Sequence, residues 1–350
     1  MTSFCQALCL LTLALPNFLP AQAMSAPLPA VVEPAEMRPE AMRLLLKSQD
    51  ALFQEDYPAC EALVKQAQVM DPEHPLPRIF MQSLLIYRLQ MEQRLGHDCR
   101  ALQALLEDAG DRSVAAAQAY IQRHPGPVAK LYLGGSLGAR GLGHLYQGSY
   151  VVAYRDGKKA FQLLRQCVAE EPRLYNAYVG LGTFEYESGR LAGVLQYILN
   201  LHGDVNYGLD LLKTCEEKAT YAAPSALMHL AFIYTFEVPD PELSQRYLMR
   251  LYARYPRNPS FAQWCGEAAR HRGWGSPEAA ALFEPVLQQW ERGWRPDKAR
   301  VDIQTLRLEY ARALLHQGHG QAARSHLIDL AASDDLALAA QAKSLLKDLP

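Results

Sequence analysis

The sequence predicts an all-α chain, an α-solenoid of about seven stacked helix pairs. Three observations predict it. Almost no segment alternates apolar and polar residues with period two for long enough to make a strand. Large apolar residues recur instead at i, i+3 and i+7 with a small residue beside them, a stripe on which two helices can approach closely. Similar segments return along the chain, several followed by proline, which ends a helix because it has no amide hydrogen to donate.

The pairs are placed at 41–72, 76–123, 128–172, 175–221, 224–256, 259–292 and 300–331, with a closing helix at 336–348. In the first pair Tyr57, Cys60, Ala67 and Pro72 mark the second helix and its stop; residues 76–123 match the pattern least well. The third pair opens with LYLGGSLGARGLGHLYQGSY, Leu131 to Tyr150, whose six glycines end in the turn-forming Gly148. No strand precedes it and the spacing is not Gly-x-Gly-x-x-Gly, so a phosphate loop is excluded. Gly135, Ala139 and Gly143 lie four apart and predict one close-packed helix face. The helix from Tyr150 to Pro172 is predicted to be unusually long.

From Tyr175 the chain reads YNAYVGLGTFEYESGRL, with Tyr178, Leu181, Gly182 and Gly189 in the large, large, small and turn places of a first helix. Leu227, Leu230, Ala231 and Tyr234 repeat it; Ser244, Leu248, Leu251 and Pro256 make the partner helix once one extra turn residue is allowed. Tyr310, Ala311, Leu314, Gly318, Ala323, Leu327 and Leu330 form the clearest late unit.

On these residues the chain resembles the tetratricopeptide repeat family over most of 42–330. The resemblance implies a right-handed solenoid, a binding role without catalysis, and a groove lined by successive first helices. Around the third and fourth pairs that groove would carry Arg140, Asn176, Thr183 and Glu187. Residues 175–260 further resemble, weakly, the inclusion-body-clearance branch of the family and exported bacterial relatives, in which Gly-Asp precedes a Gly-Leu helix as Gly203-Asp204 precedes Gly208-Leu209. Asp204 reads as an N-cap, its carboxylate accepting from the free amides of a first turn.

Residues 1–23 carry no charged side chain, run apolar from Phe4 to Leu15 and end in Ala21-Gln22-Ala23, the form of a signal-peptidase site, although the leading segment lacks Lys and Arg. The expectation is export in a bacterium, with cleavage near Ala23, a Pro/Ala-rich leader over 24–40, a repeat domain over 41–350, and a periplasmic or secreted location. The apolar run is too short to span a bilayer, and no later stretch predicts a span. The run Val194–Leu201 lacks the flanking basic residues that favour a membrane surface. A formal charge of −2 without a basic stripe argues against nucleic acid.

Cys60, Cys99, Cys167, Cys215 and Cys265 follow the leader, an odd and scattered set that predicts small core residues in preference to a disulfide framework or a metal site. There is no His-Glu-x-x-His, Gly-x-Ser-x-Gly or glycine-lysine phosphate loop, so neither an enzyme nor a cofactor is expected. Glu185 stands where the family usually has an aromatic residue, and is read as a solvated edge or a salt bridge to Arg140 or Arg190. Trp264, Trp274, Trp290 and Trp294 crowd one third of the chain beside Arg270, Arg272, Arg292 and Arg295. Trp274 and Trp294 there are either part of an aromatic and basic binding surface or core of a helix pair. The expected partner is a protein or peptide in the cell envelope; the alternative is a small exported ligand, as in periplasmic repeat subunits that accompany transporters.

Overall fold

The computed structural model describes residues 37–190, 203–298, 300–347 and 349. All regular structure among them is helical. They divide into two compact units, one of residues up to Leu52 and Asp56–Leu227, the other of Phe53–Glu55 and from Met228 onward. The signal segment, most of the leader and the run Val194–Leu201 lie outside the described residues.

The first unit holds α1 (Pro39–Phe53), α2 (Tyr57–Met70), α3 (Leu76–Arg94), α4 (Arg100–Arg123), α5 (Pro127–Tyr146), α6 (Tyr150–Glu170), a 3-10 turn (Tyr175–Ala177) running into α7 (Tyr178–Gly189), and α8 (Val205–Lys218). The unit boundary falls inside α9 (Ala223–Phe232). The second unit continues with a π turn (Ile233–Glu237), α10 (Pro241–Arg254), α11 (Pro259–Arg272), α12 (Pro277–Glu291), α13 (Ile303–His316), α14 (Gly320–Ala331) and α15 (Leu336–Lys347). Helices follow the seven expected pairs and the closing helix, the poorly matching 76–123 included. From α2 to α7 each helix packs on the next, and α3 also reaches α5; in the second unit α10 reaches α12 and α13 reaches α15 in the same way. This is the nearest-neighbour burial of a stacked repeat array.

Local chemistry sets the helix ends. Asp56, Asp204, Asp240, Asn258 and Asp302 each accept amides of the following first turn, as expected for Asp204. Gly148 and Gly318 take positive φ, 77° and 79°, at the turns where the sequence places them. The five cysteines among the described residues are buried and free. Burial pushes the thiols of Cys60, Cys167 and Cys265 up to about 12, far from thiolate chemistry at neutral pH.

One expectation is corrected. The close backbone approach along α5 runs over Gly134 and Gly141, not over Gly135, Ala139 and Gly143. A Cβ on Gly141 would lie 3.1 Å from Ala153 O, and one on Gly134 3.3 Å from Ala160 O, both on α6; Gly135 and Gly143 face the ends of the Ile79 and Leu106 side chains. Spacing of four marks a face but not its neighbour. The tighter approach is between α7 and α8: a Cβ on Gly208 would meet Tyr186 N at 2.6 Å and Gly182 O at 2.8 Å.

In the second unit, the extra residue between α9 and α10 is absorbed by the π turn. There Val238 N donates to Ile233 O across five residues, and Thr235 and Ser244 join hydroxyls at 2.7 Å beneath it. Phe232 and Phe236 pack on Trp264 at 5.6 and 5.7 Å. Farther along, Arg307 Nε donates to His326 Nδ1 at 3.2 Å, which keeps that nitrogen unprotonated.

Two outcomes follow for stability. Gly208→Ala lowers stability by about 1–3 kcal/mol, because backbone must move to admit the methyl group. Gly157→Ala, on α6 with nothing within 4 Å of the added atom, instead raises it by about 0.5–1 kcal/mol; urea unfolding compares the two. Acid acts through the histidines: burial holds His229 down at about 4, and burial with Arg307 lowers His326. The folded state therefore prefers both neutral, so their contribution is complete above the unfolded value near 6.5 and is lost as pH falls below it. Thermal unfolding from pH 7.5 to 5 falls more steeply for the natural chain than for His229→Gln.

Candidate functional site

The first-helix face of the first unit is built by α3, α5 and α7. At its C-terminal end each of the three supplies one polar side chain: Tyr146, closing α5, has its phenol within the influence of the Gln90 amide of α3 and of the Glu187 charge of α7. Gln93 Nε2 donates to Tyr146 O at 3.2 Å, a second tie from α3. Burial, first, and the Glu187 charge, second, push the Tyr146 phenol upward, so it stays protonated and able to donate. Gln90, Tyr146 and Glu187 are half-buried, as is Thr183 one helical turn before Glu187. The cluster thus presents an amide, a phenol, a hydroxyl and a carboxylate at a boundary with solvent.

The other two residues expected on this face are structural. Arg140 lies across Gly110 of α4, where a Cβ would sit 2.9 Å from its Cγ. Its guanidinium forks onto Asp156 of α6 at 2.7 and 3.1 Å and reaches Asp111 of α4 at 2.9 Å. Asp156 is only 3 % exposed, so the fork compensates a buried carboxylate and binds three helices together. The bond to Asp156 is also the main reason the guanidinium is held above its ordinary value.

Asn176 is 5 % exposed. Its Oδ1 accepts from Tyr221 N and Ala222 N, both at 3.0 Å, and its Nδ2 donates to Thr220 Oγ1 at 2.9 Å. It ties the entry of α7 to the segment leaving α8. Glu185 Oε2 accepts from Asp204 N at 3.1 Å, and burial raises its carboxyl. Glu185 is thus tied to the start of α8 and feels the charge of Arg165, where a solvated edge or a bridge to Arg140 or Arg190 was expected.

In the second unit the tryptophan rings have different partners. Trp264 joins Phe232, Phe236 and Phe261, and Trp274 stacks on Phe283 at 6.2 Å. Trp290 takes guanidiniums of Arg295 and Arg307 at 5.0 and 5.2 Å from its centroid. Trp294 is half-buried, and its carbonyl accepts from Arg295. Arg270 pairs with Glu309 and Glu267, and Arg272 with Gln245. Sequence reasoning missed Gln90, Tyr146 and Arg307; their recurrence at the ends of first helices was the available signal for the first two. Among the described residues no group of three or more His, Cys, Asp or Glu side chains is placed to hold a metal, and no helix is long and apolar enough to cross a membrane.

No protein-family model matches the chain, and no curated protein matches it. Among solved structures, a tetratricopeptide repeat protein from Parabacteroides merdae ATCC 43184 is 14 % identical, with 88 % of this chain and 99 % of that one covered and a TM-score of 0.29. Yeast Tom70 is 11 % identical over 88 % of this chain and 96 % of its own, with a TM-score of 0.21. Both superpositions are loose, and the assignment as a tetratricopeptide-like array of helix pairs rests on the chain's own helices.

Proposed function

We propose that this chain is an exported, non-catalytic scaffold of the bacterial cell envelope that holds a protein or peptide partner on the first-helix face of its first unit. The observation that supports this reading is the meeting of Gln90, Tyr146 and Glu187 from three successive first helices. An extended peptide crossing stacked helices meets one such side chain per repeat, and the half-buried setting gives each hydrogen bond more weight than at an open surface. Arg140 and Asn176 serve this face indirectly, by fixing the helices that carry it.

The test is affinity capture of the tagged chain from its native envelope fraction, with unfolding followed in parallel. A Gln90→Ala, Glu187→Ala double variant keeps its melting temperature within a few degrees and loses the partner. Arg140→Met strands the Asp156 carboxylate and costs about 3–5 kcal/mol, and Asn176→Ala lowers stability as well; the folded fraction of each retains the partner. Undiminished capture by the double variant contradicts the proposal, and a small molecule retained by the purified chain with no protein captured favours the transporter-type ligand binder.

A further inference from the structure

A cavity of about 390 Å³ opens at the loop edge of the first unit, lined by Asp71, Glu73, His74, Tyr120, Arg123 and His124. It lies where two successive second helices end, α2 at Met70 and α4 at Arg123. Its size is at the lower end of small-ligand sites, about 300–1,000 Å³.

The inner wall is aromatic and nearly sealed, with His74 2 % and Tyr120 5 % exposed. His74 Nδ1 accepts from Leu76 N at 3.2 Å, which places the proton of the neutral ring on Nε2. The ring stands edge-on to Tyr120 at 5.4 Å and to Tyr132 at 4.8 Å, while Tyr120 also packs on His124 at 4.8 Å. The rim is charged and open. Asp71 Oδ2 accepts from Arg38 N at 3.2 Å, and Glu73 pairs with Arg123 at 2.7 Å through two well-exposed side chains.

The balance of charge selects the ligand. Among the lining side chains two carboxylates face one guanidinium, and the C-terminal ends of α2 and α4 each add partial negative charge; the Arg78 guanidinium, a second positive group at this loop, is held on Pro72 O at 2.9 Å. The positive start of α3 opposes this weakly, since the Leu76 amide is already spent on His74. An exposed ion pair such as Glu73–Arg123 is weakly held, so an entering cation can take the place of Arg123.

From this we infer that the cavity receives a lysine or arginine side chain of a protein partner. The site lies apart from the Gln90–Tyr146–Glu187 cluster and stands independently of the function proposed there. The full chain is titrated with N-acetyl-lysine methylamide and N-acetyl-arginine methylamide, and the ring resonances of His74 and His124 are followed by NMR, with spermidine and succinate titrated in parallel. The basic probes are expected to shift both rings saturably. Affinity falls at least about threefold in Glu73→Gln and in Asp71→Asn, which remove charge but keep the hydrogen-bond acceptors. Glu73 is exposed, so the first variant leaves the fold intact even if the second disturbs the Arg38 contact. Tighter binding of spermidine than of either capped residue would overturn the side-chain assignment in favour of a free polyamine. Saturable shifts by succinate, or none by any basic probe, would overturn the cation site.

Discussion

The contact on which the first unit's candidate face depends is the approach of α8 to α7 across Gly182 and Gly208, where backbone meets backbone. A single helix pair cannot bury its apolar stripe and must share it with neighbours, so the distance between helices sets the distance between repeats. Where side chains separate helices, small shifts can be absorbed by rotamer changes. Here they cannot, because the atoms nearest the missing Cβ positions, Gly208 O for Gly182 and Tyr186 N for Gly208, are main chain. α5 and α6 make a gentler version of the same contact over Gly134 and Gly141. These two glycine seams fix the spacing within the third and fourth helix pairs, to which α5 with Tyr146 and α7 with Glu187 belong.

Polar groups buried between the seams add direction to that spacing. Hydrophobic stripes tolerate sliding, whereas the fork of Arg140 on Asp156 is geometrically demanding and leaves a buried charge exposed to loss if the helices slip. Asn176 does the same for the ends of the fourth pair, using three hydrogen bonds to join segments 44 to 46 residues apart. The second unit solves the problem with Arg270 Nη1 of α11 donating to both carboxylate oxygens of Glu309 on α13, at 2.7 and 2.9 Å. Burial there raises the Glu309 carboxyl, and the Arg270 charge opposes the rise. In each case a charged or amide side chain prominent in the sequence maintains the array.

Helix pairs were legible because their determinants are local: stripe, small residue, turn glycine, aspartate cap. Gly148, Gly318 and Asp204 act where the sequence places them. The need for one extra residue before Ser244 was legible too, although its accommodation by a π turn was not, since pattern alone does not choose between a longer loop and a widened helix turn. The site was less accessible. Side-chain type marked Arg140 and Asn176 as binding candidates, but burial depends on which helix lies opposite, a fact carried by distant residues such as Gly110 and Tyr221. The stripe of Gly135, Ala139 and Gly143 misled for the same reason: i, i+4 spacing names a face without naming what it touches. Gln90 and Tyr146 escaped notice because neither is unusual alone, and only stacking brings them to Glu187.

That convergence is the centre of the account and can be observed without knowing the partner. In a chain carrying labelled tyrosine and glutamine, nuclear Overhauser contacts between the Tyr146 ring and the Gln90 side-chain amide are expected. Glu187→Gln is expected to move the Tyr146 resonances, while Glu278→Gln in the second unit leaves them in place. Absence of the Gln90 contact, together with a Tyr146 ring indifferent to Glu187, would contradict the shared face and the function built on it.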